Sequence, residues 1–133
     1  MITRIEMMTP MLKATPTFGP VWNEFLAKWD DEKESLPIYL ILSDLARHIT
    51  KLIASGSTAE LVKVCRVIET WCDDGDAEVQ EAVTVGLLED LQNTNVVDIG
   101  KSEKIEQYLG PQSTREWQKV QSFWARGELI CDD

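Results

Sequence analysis

The chain has one histidine, three cysteines, no glycine-rich loop and no two adjacent Lys or Arg. Each shortage excludes something. A paired or clustered basic footprint is what nucleic-acid binding needs, and with 13 Lys and Arg against 23 Asp and Glu that footprint is missing. Without a glycine-rich cradle there is no phosphate-binding loop, and the cysteines have no zinc-ligand spacing. The longest apolar run, Leu36 to Leu42, is too short to span a bilayer. Glu6 and Pro10 interrupt the apolar residues of Met1 to Leu12, so no secretory signal is expected. These shortages predict a cytoplasmic protein that binds neither nucleic acid nor membrane.

Cys65 and Cys72 lie seven residues apart in one expected helix, which separates their backbones by roughly 10 Å and forbids a disulfide. Both read as reduced core thiols, and Cys131 as incidental. Alternation of period two is also missing except over Val96 to Ile99, so the fold class is all-α.

What is present is acid. Ser57 to Gly100 holds ten carboxylates against Lys63 and Arg66, out of a whole-chain net charge of −10. With 133 residues and 44% hydrophobic side chains, the chain is expected to be one helical domain, 1–133, with an irregular N-terminal segment over 1–20.

Helical spacing first appears over Val21 to Trp29, where Trp22, Phe25, Leu26 and Trp29 form a stripe, followed by a charged loop from Asp30 to Glu34. Ser35 is an expected N-cap and Pro37 a first-turn proline for a second helix, whose stripe runs Ile38, Ile41, Leu42, Leu45, Ile49 and Leu52. Gly56 closes it. Ser57-Thr58-Ala59-Glu60 reads as a capping box for a third helix, with Leu61, Val64, Cys65, Ile68, Trp71 and Cys72 facing inward, stopped by Asp73-Asp74-Gly75. Asp76 caps a fourth helix that runs to Leu91, and Gly86 within it implies close approach of a neighbour, since glycine there costs about 1 kcal/mol relative to alanine. A short helix over Ser102 to Leu109 precedes a second capping box, Ser113 to Glu116, and a last helix that places Trp117, Val120, Gln121 and Trp124 against the core. About six helices follow, in an irregular bundle or in stacked helical hairpins of the HEAT-like kind.

The run Asp73-Asp74-Gly75-Asp76-Ala77-Glu78 is too short for an EF-hand loop, so no metal is expected. His48 stands mid-helix with no acid or nucleophile placed near it by spacing, so no catalytic residue and no cofactor are expected. Asp76 and Glu78 suit a helix N-terminus. Asp73 and Asp74 fall at the negative end of the preceding helix, where acid is mildly unfavourable, which points to an external use for the charge. All five tryptophans fall on apolar stripes, and Trp71, beside the acidic turn, is expected to be shared between core and binding surface.

Glu78-Val79-Gln80-Glu81-Ala82-Val83, Gly86-Leu87-Leu88-Glu89-Asp90-Leu91 and Tyr108-Leu109-Gly110-Pro111 with Ser113 and Trp117 resemble segments of small all-α bacterial proteins, some of them immunity partners of polymorphic or contact-delivered toxins. The resemblance covers Leu36 to Trp124. It implies a cytoplasmic antitoxin that binds one cognate toxin without catalysis or cofactor. Charge alone then places the partner-binding surface at Asp73, Asp74, Asp76, Glu78 and Glu81 with Trp71, facing a basic patch on the toxin. The alternative expectation is a helical-repeat adaptor that holds a peptide in an apolar groove.

Overall fold

Prolines and glycines mark most helix boundaries. Pro20 lies in the first turn of one helix, Pro37 immediately precedes another and Pro111 opens the last, at positions where a missing N–H leaves no bond unmade. The computed structural model describes residues 1–29 and 36–126, and these contain seven α-helices and no strand. They are α1 (Met8–Ala14), α2 (Gly19–Lys28), α3 (Ile38–Ala54), α4 (Thr58–Asp74), α5 (Ala77–Ala82), α6 (Ile99–Ser102) and α7 (Pro111–Arg126), with short 3₁₀ turns at Pro16–Phe18 and Glu103–Tyr108. The fold is all-α. Expected cap Ser35 and the charged loop lie outside the described residues, as does Cys131.

The α3 stripe is buried from Ile38 through Leu52. Gly56 ends this helix in a left-handed conformation, φ 72°, with Ser57 N–H bonding the Leu52 carbonyl at 2.9 Å and Gly56 N–H the Ile53 carbonyl at 3.2 Å, a Schellman closure. Its partner α4 buries Leu61, Val64, Cys65, Ile68 and Trp71. Asp76 caps α5 as expected, its Oδ1 accepting from Val79 N–H at 2.9 Å. Beyond Ala82 the helix widens into a π-helical segment, Val83–Leu88, that packs on α3 and α7. The Tyr39 ring lies over Gly86 there, and a β-carbon on Gly86 would be 3.0 Å from Tyr39 Cδ1. That is the close approach the glycine implied.

Several local expectations are corrected by tertiary partners. Residues 1–20 are not irregular throughout: α1 packs on α4 and buries Met8 and Met11, Met7 just before it is buried too, and Ile2 pairs with the α4–α5 turn through bonds of 2.8 Å to Asp74 O and Asp76 N. Neither capping box forms. Ser57 makes no side-chain cap, α7 begins at Pro111 so that Ser113 is already inside it, and Glu60 and Glu116 are drawn to distant hydroxyls instead. The helix expected over Ser102 to Leu109 is α6 followed by a 3₁₀ turn, with the buried Ser102 hydroxyl donating to Leu91 O at 2.6 Å. Trp124 is 46% exposed and Gln121 is exposed, so the inward stripe of α7 ends at Val120.

Candidate functional site

The acidic segment divides into carboxylates used by the fold and carboxylates left open. Glu60 accepts hydroxyl bonds from Thr15 at 2.5 Å and Thr17 at 2.6 Å. Asp90 accepts from Ser43 at 2.6 Å, and Asp98 pairs with Lys101 at 3.9 Å. Glu69 holds the start of α7: its carboxylate accepts Gln112 N–H at 3.0 Å, Ser113 N–H at 2.9 Å and the Ser113 hydroxyl at 2.8 Å. Burial pushes the Glu69 carboxyl up, and the Ser113 amide and hydroxyl, the Gln112 amide and the Arg115 charge together outweigh it, leaving the group below its ordinary value. A glutamate 43 residues before Gln112 has taken the role of an N-cap.

The expected partner-binding residues do not form one patch. Asp73 and Asp74, both exposed in the last turn of α4, diverge. Asp73 lines a polar cleft of about 420 Å³ with Gln80, Arg115, Glu116 and Lys119, whereas Asp74 lines a depression beneath Ile2, Ile5 and Pro10. Asp76 is spent on its cap. Trp71 is corrected outright: it is fully buried, and its indole donates to Met7 O at 3.0 Å, so no partner can touch it. Glu78 and Glu81 do share a face. They lie three residues apart on α5, one turn of helix, and their charges, with that of Glu89, act on the half-exposed Tyr39 of α3. Tyr39's hydroxyl is pushed up by burial first and then by Glu81, Glu78 and Glu89 in that order, which identifies these carboxylates as its charged neighbours. Arg4 reaches Glu78 at 3.5 Å. Tyr39 was missed from the sequence because it sits one residue off the buried α3 stripe, and only the fold brings α5 beside it.

Sequence spacing places no acid near His48, and the fold supplies one. Its Nε2 lies 2.8 Å from Thr15 Oγ1, 3.1 Å from Thr17 Oγ1 and 3.9 Å from Glu60 Oε2, with the Phe18 ring at 5.2 Å. Both threonine protons go to Glu60, so Nε2 must be the donor to the hydroxyl oxygens. That polarity is the reverse of nucleophile activation, in which the imidazole accepts the hydroxyl proton. Thr15 is fully buried as well. The cluster acts as a latch, tying the α1–α2 connection to α3 and the start of α4. Burial lowers the His48 pKa, against the opposing pull of Glu60 and with a further lowering by Lys51. Cys65 and Cys72 are pushed up to about 12 by burial, which leaves them without thiolate character. Among the described residues no three His, Cys, Asp or Glu side chains are grouped to hold a metal, and no helix is long and apolar enough to cross a membrane.

The fold and the surface define an all-α domain whose internal polar groups latch helices together and whose open face is acidic around an aromatic ring. Residues 8–125 match the family described as a domain of unknown function, DUF7674, and the chain belongs to that family. No curated protein and no solved structure matches it.

Proposed function

We propose that the protein is a non-catalytic binding domain that neutralises a cognate bacterial toxin in the cytoplasm by occupying a basic surface on it. The observation that supports this reading is the negative field that Glu81, Glu78 and Glu89 set up at Tyr39, a 44% exposed aromatic on α3. Aromatic anchors ringed by charge are typical of interface centres, and a field of one sign accelerates encounter with a basic partner. An acidic surface of this kind can also stand in for the phosphates that a nucleic-acid-cleaving toxin binds. Relative to the expectation from charge alone, the proposed surface keeps Glu78 and Glu81, gains Tyr39 and Glu89, loses Trp71, and moves Asp73 and Asp74 to its margin.

The test is a pull-down of the tagged chain from its source cells at low and high salt, followed by toxicity assays of any stoichiometric partner. A basic partner released by salt, whose toxicity the protein suppresses and the Glu78→Lys, Glu81→Lys double variant does not, meets the proposal. A partner that stays bound in high salt, or whose toxicity both forms suppress equally, defeats it. The adaptor reading has one observation in its favour, an apolar notch of about 170 Å³ between the N-terminal segment, α2 and α3. That volume is below the roughly 300–1,000 Å³ of ordinary ligand pockets and suits one side chain better than a peptide groove.

A further inference from the structure

The apolar notch and the acidic strip are two parts of one surface. Arg4, Ile5, Trp22, Leu26, Leu36 and Ile38 line the notch. Arg4 is in turn paired with Glu78 of the strip, so the two features share a boundary there. Of the notch residues Ile5 is 69% exposed, so the notch opens to solvent on the side that carries Arg4. An apolar notch bordered by carboxylates offers a partner one anchoring site, and the sign of the bordering charge states what that partner must carry.

We infer that this composite surface receives a basic protein segment that places one bulky apolar side chain in the notch and its Lys or Arg residues against Glu78, Glu81 and Glu89. The inference rests on the basic partner proposed above and adds the apolar anchor. The anchor supplies affinity through burial against Trp22 and Leu26, and the carboxylates set orientation and encounter rate. Trp22 is already held for this role by stacking on Phe25, ring centroids 5.7 Å apart, so little rotamer freedom remains to be lost on binding. Arg4 stands where the two halves meet. Its pairing with Glu78 is only part-exposed on the arginine side, and an incoming cation competes for the same carboxylate.

The test uses the isotope-labelled full chain and two synthetic peptides, Lys-Lys-Gly-Phe-Gly-Lys-Lys and its counterpart with alanine in place of phenylalanine, followed by amide chemical shifts. The phenylalanine peptide is expected to bind about tenfold more tightly and to shift Ile5, Leu26 and Leu36 as well as Tyr39 and Glu81. Ile5→Ser, at a position open enough to leave the fold intact, should abolish the preference between peptides. Equal binding of both peptides, with shifts confined to the surroundings of Glu78, Glu81 and Tyr39, would overturn the anchor while leaving the basic-partner reading in place. Binding of neither peptide overturns both.

Discussion

Replacing Gly110 by alanine should destabilise the protein in its native background and have the opposite effect once Glu69 is gone. Gly110 does not have a positive φ, so alanine meets no backbone strain there. The obstacle is the carboxylate: a β-carbon at Gly110 would stand 2.6 Å from Glu69 Cδ and Oε1 and 2.8 Å from its Cγ. To admit it, Glu69 must swing away from the Gln112 and Ser113 amides and the Ser113 hydroxyl. Hydrogen bonds to a charged group contribute about 1.5–3 kcal/mol each in favourable settings. These three share one part-exposed carboxylate that water can partly replace, so their joint loss is nearer to an N-cap deletion, about 2 kcal/mol. Glu69→Ala should therefore cost about 2 kcal/mol, and Gly110→Ala about the same, since both remove the latch on α7.

In the Glu69→Ala background the clash is absent. Gly110→Ala then only restricts the unfolded chain and should stabilise by about 0.5 kcal/mol. Urea unfolding of the wild type, both single variants and the double variant measures the four corners. The coupling should exceed about 2 kcal/mol, well above the scatter of about 0.5 kcal/mol expected for independent sites. Additive costs, or a neutral Gly110→Ala in the native background, would refute the geometry. Acid supplies a second check. Glu69 sits below its ordinary value of 4.5 in the fold, so its contribution is complete above that pH and is lost as pH falls through the folded value. The gap between wild type and Glu69→Gln should close over that interval.

Trp71→Phe should cost about 1 kcal/mol more than Trp117→Phe in thermal or urea unfolding, because both lose similar buried volume but only the Trp71 indole has a partner, Met7 O, while the buried Trp117 Nε1 has none. Equal costs would mean the Met7 contact contributes nothing. His48, with its pKa lowered by burial, is neutral in the fold, so stability should be full above its ordinary value of 6.5 and fall as pH drops from there toward the folded value. His48→Gln should remove that slope from a pH series of unfolding midpoints, and an unchanged slope would assign it elsewhere. Gly86→Ala should displace the Tyr39 ring, 3.0 Å from the added carbon, at a cost of about 1–2 kcal/mol and with altered tyrosine fluorescence or ring shifts. Retention of the ring's native signals would show that the π-helical turn yields instead.

The helices that were legible from the sequence are those whose signal is periodic and local. The α3 and α4 stripes, the Gly56 closure and the Asp76 cap each depend on residues within two turns of one another, and the structure contains them. What was illegible depends on partners far along the chain. Met7, Met8 and Met11 span too short a helix for a period to emerge, and their burial is fixed by Trp71, 64 residues after Met7. Glu60 and Glu116 sit where capping boxes would use them. A hydroxyl 45 residues away at Thr15 and another 32 residues away at Thr84 take them instead. Trp71 beside the acidic turn suggested a shared surface because sequence shows adjacency along a helix but not which side of it the N-terminal segment covers.

The same distinction decides how much of the acidic charge is available to a partner. Glu60, Glu69, Asp76 and Asp90 accept internal bonds from neutral hydroxyls and amides, so their carboxylates keep their charge but are tied to the fold and not free to turn to a partner. The carboxylates of Asp73, Asp74, Glu81 and Glu89 take no hydrogen bond or ion pair from the described residues. Uncompensated surface charges of one sign repel over about 10 Å at 0.1 M ionic strength, and added salt shortens that range. Moderate salt should thus stabilise the fold while weakening a basic partner's association. Neutralising Asp73 and Asp74 would separate the two effects, because they lie apart from Tyr39: stability should rise as it does with salt, while binding at the Tyr39 face should change far less than it does for Glu78 and Glu81.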